Sequence, residues 1–162
     1  MIENVLLIDS SHDLINLQTE DNIERDLEYI VIIHRNGLPI FLKSFADEYS
    51  TALKDKYILS GFLSAITNFP KMIGYNNNDL HSLHIGQSEL FFSYTVNDII
   101  IILSTKINRT ESELQALRID NILNNLKIYF ENEFPNEEWS LISISLNTKL
   151  TTKINSILSN YS

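Results

Sequence analysis

Cysteine is absent from this 162-residue chain, which excludes disulfide staples, thiolate metal sites and a cysteine nucleophile. Glycine and proline are scarce, at 4 and 3 residues, so no flexible or proline-rich linker divides the sequence. Basic residues are outnumbered 21 to 12 by acidic ones, and the resulting formal charge of −9 argues against nucleic acid or anionic lipid as the main ligand. No Lys/Arg cluster offsets that balance; Lys106 with Arg109, and Lys149 with Lys153, come nearest. No apolar run approaches the roughly 18 residues of a membrane span. The opening MIENVLLIDSSHD lacks the basic segment that precedes the apolar run of a secretion signal. A soluble, cytoplasmic, single-domain protein is expected, with at most peripheral membrane contact. Its hydrophobic content of 44% can build a core without staples.

The motifs of common chemistries are missing as well. Neither G-x-x-x-x-G-K-[ST] nor G-x-G-x-x-G occurs, so the chain is not itself a P-loop GTPase or a dinucleotide enzyme. No G-x-S-x-G elbow activates any of its serines. His81 and His84 form the one close histidine pair, but on a strand a spacing of three points them to opposite faces, which prevents joint chelation. They read as strand-end histidines. His34 reads as a cross-strand contact beside a hairpin, and His12 lies in a leader without clear pattern. The acidic residues Asp47, Glu48, Asp55, Glu111, Glu113, Glu131, Glu133, Glu137 and Glu138 are dispersed, mostly over loops, caps and solvent faces, and read as a solvated acidic surface rather than paired acid–base groups. No catalytic residue, cofactor or metal is expected, and the chain does not read as an enzyme.

What is present is a clear succession of elements. Residues 1–27 form an extension of uncertain structure, and the organised part begins at Glu28. EYIVIIHR, then Asn36-Gly37, then LPIFLKSF read as a β-hairpin, with Pro39 at a strand start where its missing donor is tolerated. A helix over about 52–69 follows, which Pro70 should end or kink. A short strand at 82–85, a turn at Gly86-Gln87, the alternating SELFFSYTV, a turn at Asn97-Asp98 and the wholly apolar IIIILST make a three-strand meander. The last of these has the composition of a central strand covered on both faces. Thr110-Glu111-Ser112-Glu113 matches a capping box, opening a helix that should bury Leu114, Leu117, Ile122, Leu126 and Tyr129 or Phe130. WSLISISL (139–146) is compatible with strand or helix, and a last helix over about 147–160 gathers Leu150, Ile154, Ile157 and Leu158 on one face.

The most informative stretch is YILSGFLSAITNFP, Tyr57 to Pro70, because no charged residue falls between Lys56 and Lys71. Tyr57, Ile58, Phe62, Ala65, Ile66 and Phe69 make a broad apolar face at helical spacing. The opposite stripe of Ser60, Gly61, Ser64, Thr67 and Asn68 is small and neutral. The expectation is that the apolar face covers the sheet and the small stripe meets another backbone. That backbone belongs either to this chain's own terminal segments or to a partner. With a partner, the five small residues are an interface, and Ser64→Arg should disturb association while sparing the fold.

The order β-β-α-β-β-β-α-α predicts an α/β (α+β) domain: one five-stranded antiparallel sheet with helices on both faces. HRNGLPIF, YILSGFLSAITNF, HIGQSELFFSY and IIIIL followed by NRTESELQALRIDNILNNLKIYFENEF make this order resemble the longin domain, within the roadblock/longin (profilin-like) group. The resemblance spans residues 28–160, so the domain is taken as 28–162. It implies a non-catalytic module that dimerises with itself or another longin or roadblock subunit and binds or regulates a small Ras-like GTPase, in membrane trafficking or polarity. No active-site residue carries over. The rival reading is a small-molecule sensor, supported by Phe41, Phe91, Phe92 and Tyr94. A trafficking adaptor for peptides or SNARE-like helices would share the same fold.

Overall fold

The computed structural model describes residues 27–45, 55–74, 80–107, 112–134 and 144–160. The N-terminal extension, the capping-box residues Thr110 and Glu111, and Trp139 to Ser143 lie outside them.

Strand β1 (Leu27–His34) is a β-branched run, and Asn36-Gly37 returns it into β2 (Pro39–Ser44). Gly37 adopts φ 92°, a left-handed conformation that costs glycine little, while the Asn36 side-chain oxygen accepts from Leu38 N at 3.1 Å. Pro39 sits at the start of an outer strand, where its missing N–H leaves no ladder gap. Helix α1 (Lys56–Met72) crosses to a meander of β3 (Ser82–Ile85), β4 (Ser88–Tyr94) and β5 (Ile99–Lys106). Helices α2 (Ser112–Glu133) and α3 (Ile144–Ser159) follow.

The strands form one antiparallel sheet in the order β2-β1-β5-β4-β3. Strand β5 is central and buried from Ile99 to Thr105, as its two-sided apolar composition requires. Helices α2 and α3 cover one face, where Ile30, Ile32, Ile101 and Leu103 meet Ile122, Leu126, Phe130, Leu150, Ile154 and Leu158. Helix α1 covers the other, where Leu63 inserts among Val31, Ile33, Leu90, Phe92, Ile100 and Ile102. The two layers are unequal: two helices contribute many fully buried side chains to the first, and α1 lends the second a single buried apolar one.

Three expectations need correction. Helix α1 runs through Pro70 to Met72 and does not end at Phe69. The imide removes only one bond in the last turn, and Ile73 N and Gly74 N close that turn by donating to Phe69 O and Lys71 O. At its start, Asp55 caps the helix, its carboxylate accepting from Tyr57 N and Ile58 N at 3.1 Å each. In α2, Leu114 and Leu117 are exposed, and Ile119 and Leu123 take the buried places expected for them. Finally, 144–146 is helical, so the second half of the ambiguous stretch opens α3.

Candidate interaction face on helix α1

The contact between α1 and the sheet has an unusual chemistry. The side of α1 that meets the sheet is its small hydroxyl stripe, with Ser60, Leu63, Ser64 and Thr67 buried. Small side chains let the helix axis approach the β1–β2 turn closely. A Cβ placed on Gly37 would stand 3.6 Å from Gly61 Cα and 3.6 Å from Ser64 Cβ. Ser64 Oγ donates to Arg35 O at 2.7 Å, tying helix to turn. The other hydroxyls are satisfied within the helix: Ser60 Oγ donates to Tyr57 O at 3.1 Å and Thr67 Oγ1 to Ser64 O at 3.0 Å. Among the described residues no buried side-chain N or O lacks a partner.

The apolar face consequently points outward. Tyr57 is 65% exposed, Ile58 72%, Phe62 54%, Phe69 55%, Met72 80% and Ile73 54%. Tyr57, Ile58, Phe62 and Phe69 are positions expected to cover the sheet, as are Ala65, which is exposed, and Ile66, which is half-buried; the structure reverses that orientation, and Met72 and Ile73 extend the exposed face. Of the five small residues, Ser60, Ser64 and Thr67 are buried, Asn68 is half-buried and donates to Ser64 O at 2.8 Å, and Gly61 is exposed at the edge of the contact. The backbone packed on this stripe is the chain's own hairpin turn, neither its terminal segments nor a partner. Single exposed apolar side chains are ordinary on proteins, whereas five along one helix, with Ile73 at its C-cap, form the kind of patch that marks an interaction site.

An outer strand adds to this face. β3 ends the sheet, and register with β4 places Leu83 opposite Leu90 and Ile85 opposite Ser88, on the α1 side. His84 lies on the opposite side, its Nε2 2.8 Å from Glu89 Oε1. His81 precedes the strand and contributes its carbonyl to Phe92 N. The aromatic residues of the sensor reading are divided between the layers. Phe41 and Phe91 pack toward α2 and α3, Phe92 and Tyr94 toward α1, and the Tyr94 hydroxyl donates to Leu80 O at 3.0 Å. They do not line a common cavity. Among the described residues no three His, Asp or Glu side chains converge, and no helix is long and apolar enough to cross a membrane.

One buried polar cluster escaped the sequence reading. Glu28 is 1% exposed, and its carboxylate accepts from Ser88 Oγ at 2.9 Å and Ser104 Oγ at 2.6 Å. Beside it, burial raises the Tyr29 phenol above its ordinary value; a hydrogen bond with Ser104 draws it partly back, and the Glu28 charge raises it. A bulge between Leu27 and Tyr29, invisible to period-two reading, brings Glu28 to these hydroxyls.

No protein-family model matches the sequence, and no curated protein matches it. Among solved structures the chain is similar to MglB of Myxococcus xanthus, at 21% identity over 72% of this chain and 99% of that one, with a TM-score of 0.49. It is similar to a gliding protein MglB from Thermus thermophilus, at 14% identity over 68% of this chain and 85% of that one, with a TM-score of 0.45. A Roadblock/LC7 domain from Streptomyces avermitilis gives 8% identity over 65% of this chain and 86% of that one, with a TM-score of 0.44. The likeness is one of fold alone: five antiparallel strands in the order β2-β1-β5-β4-β3 between α1 and the α2–α3 pair.

Proposed function

We propose that this protein is a non-catalytic interaction module of longin type. The apolar face of α1, with the free edge of β3, docks a second subunit of longin or roadblock type, this chain included. The composite then holds a small Ras-like GTPase and biases its switch regions through unequal affinity for their two states. The observation that carries the docking step is the outward apolar face of α1, uncharged from Tyr57 to Pro70. Burying such a face removes apolar area from water without stranding a charge, the condition under which association is favourable. The GTPase step, and a place in trafficking or polarity, rest on the longin resemblance.

The experiment is an affinity pull-down from lysate of the source cells, with bound proteins identified by mass spectrometry for the wild type and for Phe62→Glu. Enrichment of a Ras-like GTPase or another longin-type chain, lost in the variant, supports the reading. A bait that retains neither contradicts it. Phe62 replaces Ser64 as the test position, because Ser64 is part of the fold and Phe62 is not.

A further inference from the structure

We propose that the outward face of α2 is a self-association seam, on which a second copy of this chain lays its own α2 antiparallel. This surface lies on the other side of the sheet from α1 and is independent of the α1 reading. The buried side of α2 is formed by Ile119, Ile122, Leu126 and Phe130. A second stripe runs along the solvent side: Leu117 and Ile128 are 59% and 48% exposed, and Asn121 and Asn124 between them are exposed too. These four positions follow the alternating three-and-four spacing of a coiled-coil seam.

What identifies the occupant is that the stripe matches itself under a two-fold axis. With the axis between Ile122 and Leu123, Leu117 of one copy meets Ile128 of the second, and Asn121 meets Asn124 of the second. Both contacts occur twice. A carboxamide donates and accepts, so paired asparagines satisfy each other in a closed seam and penalise other registers. The flanking charges agree as well. Asp120 precedes the seam in one turn and Lys127 in the next, and antiparallel packing sets each beside its opposite in the second copy. A parallel pairing would bring neither of them near an opposite charge. From Leu117 to Ile128, apolar, amide and charged positions agree on one arrangement, an isologous contact between identical chains.

The test is light scattering across a concentration series with the full chain, in both the wild-type and the Phe62→Glu background, for Asp120→Lys, Lys127→Asp and the double exchange. Each single reversal places like charges together twice and is expected to weaken self-association about tenfold. The double exchange restores it. Rescue cannot arise from a folding defect. The inference is overturned if the single reversals leave the masses unchanged, if the double exchange fails to restore them, or if the chain shows no association through this face at any concentration. Should Phe62→Glu leave the mass untouched while the charge exchange behaves as described, the α1 reading fails and the seam stands.

Discussion

At the scale of single residues, Ser64 shows how a position suited to a surface can belong to the fold. Its Oγ donates to Arg35 O at 2.7 Å and its Cβ lies in the narrow gap between α1 and the hairpin turn. An arginine there must push the helix off the turn or bury a charge. Ser64→Arg is therefore expected to destabilise by more than about 2 kcal/mol, read as a drop in denaturation midpoint. An unchanged midpoint would put the residue on the surface after all. Leu63, 1% exposed, is the one apolar side chain that α1 buries completely, so Leu63→Ala should cost about 3 kcal/mol. Tyr29 carries a pH dependence. Its phenol has a folded value raised above the ordinary 10.0, so the neutral form is favoured by folding. The stability this contributes is complete below the unfolded value and is lost as pH rises through the folded one. Denaturation midpoints should fall on the alkaline side of about pH 10, and Tyr29→Phe should flatten that fall. A loss of equal depth in the variant would assign it to other groups.

At the scale of elements, the strands and their turns were legible because the physics is local. Asn36-Gly37, Gly86-Gln87 and Asn97-Asp98 each close a turn with a residue at positive φ (Gly37, Gly86, Asp98), and the two-sided apolar run became the central strand. The helices were legible in place but not in orientation. Hydrophobic periodicity says that a helix has two faces, and the usual rule assigns the apolar one to the core. In α1 a close approach to backbone decides instead, and that requires the small face inward. The signal was in the sequence: a helix with Ser, Gly and Thr on one stripe and no charge on the other has no side evolved for water. In α2 the same rule misplaced Leu114 and Leu117, since Ile119 and Leu123 already fill the core positions. Pro70 signals a stop or a kink in sequence because its effect on the preceding residue is general, while one missing bond in a last turn is cheaply absorbed. An exposed apolar face also makes a prediction for the element. Phe62→Glu should leave the denaturation midpoint of the isolated chain within about 0.5 kcal/mol equivalent, because the side chain is 54% exposed and lies outside the buried core.

At the scale of the whole molecule, the sheet separates two unequal layers. The α2–α3 side is a full core, with Phe130, Phe134 and Tyr129 rings at 5.7 Å centroid spacings reinforcing its end. The α1 side is thin, one helix whose outer face is as apolar as a core and open to solvent. A chain with a formal charge of −9 remains dispersed through repulsion in most directions, and an uncharged face is where that repulsion is weakest. On the proposed reading, the molecule meets another protein through this outward face of α1. The measurement that bears most directly on this claim is the solution mass of the wild type and of Phe62→Glu by light scattering, at matched concentrations and with matched circular dichroism. The account predicts that the wild type is larger than one chain and that the variant, equally folded, loses the association made through α1. A wild type whose mass is that of one chain at every concentration, or a variant indistinguishable from it, would contradict the account.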